Sequence, residues 1–271
     1  MTKVNGKGVR YANNAHLQPN NRHLNCLSFN SITNKSGDIM NNKFTKTGPM
    51  KLPSRIGGGT FDLYLYEFSG SGAHYFVLTK GDFGDKNVLS RIDSNCVWAD
   101  IFGSARCDCA EQMHEAMRRI VKNGSGVLVH AYDQDGRGLS LENHVKVYME
   151  QDKGFDTIEA DKRCGFAKPD RRNYDEAITI YNDLGIKSTV LMTNNPHRIK
   201  SLNEAGITAK RQNIESVKVD KYNIAQLYMK KKTLGHMFDS LDLQDPKTIK
   251  QFEESLSNWS HAEYDSYLWD C

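Results

Sequence analysis

The segment CVWADIFGSARCDC, residues 96–109, holds three of the chain's six cysteines: Cys96, Cys107 and Cys109. Thiolates are soft ligands that suit zinc in tetrahedral geometry. Structural zinc sites fill every position with side chains, and catalytic ones leave a position for water. No CxxC pair elsewhere in the chain closes a four-cysteine site. His114 is near enough in sequence to be a further ligand, but it falls inside a predicted helix. The C-x10-C-x-C spacing therefore leaves three readings: an open zinc site, a site closed by His114, or three buried free thiols. An open zinc lowers the pKa of its bound water to about 7, which suits hydrolytic attack on an electron-poor carbon. Cys26, Cys164 and Cys271 are scattered and read as ordinary thiols. Thiols bunched at one place in a long chain argue against a disulfide scaffold.

Such a site needs elements to hold it. The glycines at 57–59 open a strand-like segment, TFDLYLYEF (60–68). After the turn SGSG, AHYFVLTKGD (73–82) reads as its hairpin partner, and VLSRID is a strand running into Cys96. Beyond Cys109 the period changes. In EQMHEAMRRIVKNG, Met113, Ala116, Met117 and Ile120 recur at helical spacing and Gly124 stops the helix. GVLVHAY is a short buried strand. LENHVKVYMEQDKG is a helix with Leu141, Val145, Tyr148 and Met149 sharing a side. NYDEAITIYNDLG is a helix ending at Gly185, STVLMT a strand, and PHRIKSLNEAG a helix with Pro196 in its first turn. Strands alternating with helices predict an α/β fold, with α+β character in the N-terminal part: a mixed sheet with flanking helices. There is no internal repeat.

Hydrophobic residues make up 38% and charged residues 25% of the chain, so its middle can build a core. No run approaches the roughly 18 apolar residues of a membrane span. The start, MTKVNGKGVRYANNAH, lacks an apolar signal core. The expectation is a cytoplasmic protein without membrane contact. The net charge is only +3, but it is unevenly spread. Residues 1–60 carry nine Lys/Arg against one acid, Asp38; residues 239–271 carry eight acids against two lysines. The basic arm is rich in Asn and Gly without interleaved aromatics. It reads as a solvated extension rather than a nucleic-acid surface. The acidic tail, with Trp259, Tyr264, Tyr267, Leu268 and Trp269, is too aromatic for a simple disordered tail. It is expected to dock on its own domain or on a second subunit. The division is thus 1–55 extension, 56–238 catalytic domain and 239–271 tail.

Several blocks then combine: SRIDSNC, DIFGSARCDCAEQ, DQDGRGLSLENHVKVYMEQDKGFDTIEAD, GFAKPDRRNYDEA, DLGIKSTVLMTNNPHRI and AGI. In this order, over roughly residues 60–238, the chain resembles GTP cyclohydrolase II, the first enzyme of riboflavin synthesis. The resemblance implies that fold, and an enzyme that opens the imidazole ring of GTP and releases formate and pyrophosphate. The product is 2,5-diamino-6-(5-phosphoribosylamino)pyrimidin-4(3H)-one. It implies Zn2+ for ring opening, Mg2+ with the nucleotide, and a homodimer. Cys96, Cys107 and Cys109 match the zinc ligands. Tyr148, Asp170 and Arg172 match the catalytic residues, although on spacing alone Tyr148 is a buried helix tyrosine and PDRRNY a charged helix start. The family's arginine is assigned an attack on the α-phosphorus, yet a guanidinium is essentially always protonated. Arg172 is therefore expected to stabilise phosphoryl charge. Arg91, Ile92, Asp93, Ser94, Asn95, Gln112, Asp135, Gly136, Arg137, Thr157, Thr193 and Arg198 match substrate contacts. Asp135 corresponds to a carboxylate that accepts from the guanine edge. Arg198 replaces the usual Lys and keeps the charge.

The chain also departs from that pattern. The usual RxHSEC becomes RIDSNC, placing Asp93 for His and Asn95 for Glu. TGD becomes WAD, which brings Trp98 beside the cysteines. RQEGR becomes DQDGR, so Asp133 stands for Arg and Asp135 shortens a Glu. Asn173 stands where the family has Asp. If position 133 faced a phosphate, the change of two charges would be repulsive. These departures leave two alternatives beside the family reaction. One is a divergent paralogue acting on a related ring or nucleotide, or without pyrophosphate release. The other is a non-catalytic zinc- and nucleotide-binding protein.

Overall fold

The structure, a computed structural model, describes residues 43–215 and 219–257. A seven-stranded mixed sheet in the order β1-β2-β3-β5-β4-β6-β7 forms its frame. β1 (Phe44–Ser54), β2 (Gly59–Phe68) and β3 (His74–Lys80) make an antiparallel meander, and β3 runs antiparallel to β5 (Gly126–Ala131). β5, β4 (Val88–Ser94), β6 (Ser188–Met192) and β7 (Thr208–Gln212) run parallel. The expected hairpin is β2–β3, and the expected α/β alternation follows it.

Consecutive strand residues face opposite sides of a sheet, so each central strand feeds two cores. Leu78, Leu128 and Met192 join Phe61 and the apolar face of α2 (Cys109–Asn123): Ala116, Met117 and Ile120. Their neighbours Val77, Val129 and Leu191 point the other way. They pack with Ile92, with Ala177, Ile180 and Tyr181 of α5 (Asp175–Asp183), and with Leu202 of α6 (Pro196–Glu204). Each fully buried aliphatic side chain contributes about 1.5–3 kcal/mol. Beside this sandwich pack α3 (Leu141–Gln151), α4 (Thr157–Arg163), α7 (Ile224–Leu234) and α8 (Pro246–Ser257).

A short helix over 97–102, α4, α7 and β7 have no counterpart in the sequence expectations, and three further elements depart from them. The expected apolar side of α3 does not face inward as one: Leu141, Val145 and Met149 are exposed, Tyr148 turns inward with a buried hydroxyl, and His144, Val147 and Gln151 are buried. Val147 packs with Leu139 and Ala160, and that contact with α4 sets the rotation of the helix. β1 and α8 were not anticipated at all; they lie in segments read as extensions. Cys26, Cys271 and the tail residues Trp259, Tyr264, Tyr267, Leu268 and Trp269 lie outside the described residues. Among the described residues no helix is long and apolar enough to cross a membrane.

The parallel strands decide where a ligand can sit. The chain leaves β4 toward β5 and leaves β6 toward β7, in opposite directions across the sheet. Departures of this kind open a crevice at the carboxyl ends of parallel strands, where α/β proteins bind ligands. The segments leaving that edge begin at Asn95, Tyr132 and Thr193.

Candidate active site and metal centre

Cys96 lies two residues past the end of β4 and occupies the N-cap position of α1 (Val97–Phe102). Cys109 is the first residue of α2, with Cys107 two residues before it. The three Sγ atoms lie within 4.8 Å of one another, and those of Cys96 and Cys107 are 3.7 Å apart. Among the described residues this trio is the one such gathering of possible metal ligands; His114 and Cys164 are not part of it. The set fits zinc: the donors are soft, convergent and sheltered. The trio also favours a thiolate. Hydrogen bonds from Cys107 and Cys96 hold Cys109 well below the usual thiol range, and Lys230 and Arg91 add to this. Bonding to Cys109 and burial push Cys107 up.

Tyr148 of α3 comes to the trio. Its hydroxyl is buried with no protein partner. Burial, then the surrounding thiols, raise its pKa well above the usual phenol value, so it holds its proton. Its ring meets His144 at 4.8 Å and Trp98 at 6.5 Å, and the Arg106 guanidinium lies 5.1 Å from its centroid. Asp170 and Arg172 form a two-pronged pair, with Arg172 Nε donating to Oδ1 at 2.8 Å and Nη2 to Oδ2 at 2.5 Å. Burial alone would raise Asp170, but Arg172 overrides it and holds the carboxyl well below its usual range. Burial works against the Arg172 charge, yet Tyr174 and Asp170 raise its pKa further.

The residues of β4 are wired to the cysteine loop. Arg91 donates to Asp93 Oδ1 (Nε, 2.9 Å), to the Met192 carbonyl (3.2 Å) and to Gln112 Oε1 (3.0 Å). Gln112 Nε2 donates to Asp108, the residue between Cys107 and Cys109, and Asp108 accepts from Lys230 Nζ at 3.0 Å. On the other side Asp93 Oδ2 pairs with His130 Nδ1 at 3.0 Å, across the registered β4–β5 pair. Burial would raise Asp93, but Arg91 and His130 hold its pKa below the usual value. Arg198 reaches Ser94 Oγ at 3.2 Å and has a buried Nε without a protein partner. Thr193 is fully buried, and its Oγ1 accepts from the Asn195 amide at 3.1 Å. Asn95 is buried and donates its own N–H to the Ala131 carbonyl.

Other expected contacts are occupied elsewhere. The side chain of Ile92 belongs to the core. Asp135 is 3% exposed; Oδ1 accepts from the Val97 amide at 2.9 Å and Oδ2 pairs with His144 Nδ1 at 2.6 Å. Both oxygens expected to read guanine are thus engaged internally. Gly136 has φ +49, and a Cβ there would meet the His144 ring at 2.8 Å, so only glycine lets the ring lie flat on this turn. Arg137 donates to Asp161 at 2.7 Å, and Thr157 Oγ1 accepts from Gln151 at 3.3 Å. Asp133 is exposed just past the end of β5, accepting the His74 amide at 2.7 Å and pairing with His74 Nδ1 at 2.9 Å. Sequence reasoning missed Lys230, His130 and His144. A lone His in the apolar strand GVLVHAY was a usable signal for His130; Lys230, in a KKK run, gave none.

Fold and site together define a three-layer α/β protein with a three-thiol centre at the carboxyl edge of its parallel strands. The sequence model of the family described as GTP cyclohydrolase II matches residues 45–213. The chain belongs to that family. It is 37% identical over 207 residues to a GTP cyclohydrolase-2 of Shewanella baltica, covering 76% of this chain and 98% of that protein. It is 42% identical over 167 residues to a GTP cyclohydrolase-2 of Buchnera aphidicola, covering 61% and 82%. It is also 39% identical over 181 residues to the riboflavin biosynthesis protein RibBA of Aquifex aeolicus. That match covers 66% of this chain but only 44% of RibBA.

Proposed function

We propose that this chain opens the imidazole ring of GTP, releasing formate and pyrophosphate and leaving the diaminopyrimidine ribosyl phosphate. The observation that carries this reading is the convergence of the buried thiol trio with Tyr148 and the Asp170–Arg172 pair in a member of this family. Cys96, Cys107 and Cys109 would hold Zn2+, and Mg2+ would accompany the triphosphate. Bound there, zinc supplies Lewis acidity for attack of water on the electron-poor ring carbon. Tyr148 keeps its proton at Oη and can donate it to a ring nitrogen as that nitrogen gains charge. Asp170 fixes the planar guanidinium of Arg172 and keeps it charged, which supports a role in stabilising phosphoryl oxygens rather than attacking phosphorus. Arg198 adds a second cation on that side. A homodimer in the cytoplasm is the expected setting.

One observation favours a second reading. Asp135 gives both oxygens to Val97 and His144, so the guanine edge loses its expected acceptor. A related nucleotide fits that arrangement; a reaction stopping before pyrophosphate release is the other form of this reading. Incubation with GTP, Mg2+ and Zn2+ followed by chromatography separates the two. Formate, pyrophosphate and the pyrimidine together support the first reading; formate without pyrophosphate supports the second; tight GTP binding without product contradicts both. Cys107→Ser is expected to lose both metal and ring opening, checked by metal analysis of the purified protein. Full turnover in a zinc-free variant would refute the role given to the trio.

A further inference from the structure

His236 lies beyond residues 45–213, the stretch matched by the family model, yet the fold brings it to the same crevice. α7 ends at Gly235 in a left-handed turn, φ +67, and the His236 amide donates back to the Lys230 carbonyl at 3.1 Å. The residues that follow are fastened in place. The Met237 amide donates to the Asn194 carbonyl at 2.8 Å, and Arg211 Nη2 donates to the Met237 carbonyl at 2.5 Å. Lys231 Nζ donates to the Phe238 carbonyl at 2.5 Å. Asn194 stands two residues past the end of β6. The turn at 236–238 is therefore held against the loop that carries Thr193 and Asn195 and leads to Arg198.

His236 is 9% exposed, its ring stacks on Phe238 with centroids 5.7 Å apart, and its Nε2 is buried with no hydrogen-bond partner among the described residues. Buried polar nitrogens are nearly always paired, so one left open beside a site points to a partner from outside the chain. The charges around the ring say what that partner is. Lys230, Arg172 and Arg198 are the cations acting on it, and Asp170 opposes them. Burial, then those cations, push the imidazole down to about 2, so the ring is neutral. Asp170 pairs with Arg172 and Asp108 with Lys230, whereas Arg198 makes no ion pair among the described residues. Arg198 is 5% exposed, and its own Nε is buried without a protein partner. That surplus of positive charge selects an anion. A neutral imidazole offers one N–H donor and one acceptor, and phosphoryl oxygens are acceptors. The ring can thus give a hydrogen bond without adding a fourth charge to the cluster.

We propose that His236 is a substrate-binding residue of this site, its Nε2–H donating to a phosphoryl oxygen of the nucleotide that Arg172 and Arg198 hold. This rests on the role given to those arginines in the proposed reaction. His236→Phe removes the donor and leaves a flat ring in the slot. With GTP, Mg2+ and Zn2+ it should raise KM at least about tenfold, the ordinary worth of a hydrogen bond to a charged group, with the effect falling on KM rather than kcat. His236→Gln, whose Nε2 can stand near that of the imidazole, should return KM to within about threefold of the parent. A His236→Phe protein that is folded by circular dichroism and keeps the parent's KM overturns the proposal and leaves the ring-opening reading intact. A loss that His236→Gln does not repair also overturns it and makes the ring a packing element. Independently of turnover, magnesium tripolyphosphate is titrated into the parent labelled with 15N-histidine, the His236 signals being those absent from His236→Gln. The Nε2 signal should stay protonated and move on binding; an unmoved signal at saturation overturns the proposal. Movement in a protein that makes no product from GTP keeps His236 as a phosphoryl contact and removes the ring-opening reading. A parent that binds neither tripolyphosphate nor GTP overturns both.

Discussion

A carboxylate and a guanidinium that share two hydrogen bonds in a sheltered place stabilise each other only while both are charged. Asp170 is in that position, and its ionisation is one place where pH enters the fold. Its native pKa lies below the ordinary 3.8, so its stabilisation is present above that value and is lost as pH falls toward the native one. Asp170→Asn should therefore lose turnover and about 3 kcal/mol of stability at pH 7, because Arg172 is left unpaired. The gap between the variant and the parent should narrow in melts taken below about pH 4; a gap independent of pH would contradict the pairing. Asp133 is the opposite case. Bound to His74 beyond the end of β5, it is predicted to have no part in phosphate binding. Asp133→Arg should leave GTP affinity by calorimetry within about twofold while costing up to about 1 kcal/mol of stability. At this scale the sequence was legible where whole blocks of residues matched, as for the trio, Tyr148, Asp170 and Arg172. It was not legible for Asp135. Whether a carboxylate faces a ligand or a histidine nine residues away depends on a turn whose shape the residue types do not specify.

Elements were legible where one face is buried and the other wet. α2 declared itself through Ala116, Met117 and Ile120. β1 did not, because an edge strand exposed on most of its length shows little apolar alternation, and Pro49 and Pro53 argue against a strand. α3 was found but its rotation was misread, since its longest apolar residues are the ones left outside. Helix α4 illustrates how ends position a site. Asp156 caps it, accepting from the Ile158 and Glu159 amides at 2.8 and 2.9 Å, and the helix carries Thr157 and the Asp161 that holds Arg137. Asp156→Ala should cost about 1 kcal/mol in urea unfolding and should raise amide exchange in 157–163 first.

Across the whole molecule one buried polar path links distant segments: Lys230 to Asp108, Gln112, Arg91, Asp93 and His130. Lys230 stands 122 residues from Asp108 in sequence, which is why no local pattern disclosed it. Burial opposes its charge, while Asp108 and the thiols raise its pKa. Lys230→Met is predicted to cost about 3–5 kcal/mol by stranding Asp108. If the trio holds zinc as proposed, the ion should also be easier to strip in competition with a chelator, with Lys230→Arg partly restoring both. A Lys230→Met protein as stable as the parent would remove Lys230 from that path. β4 lies in the middle of the path, and its residues alternate: Arg91 and Asp93 serve the polar chain while Ile92 fills the core. Losing or gaining one codon inside this strand would turn the ion pair into the oil and the isoleucine toward the thiols. Lineages of this protein should therefore vary in length at the SGSG turn and almost never between Val88 and Ser94.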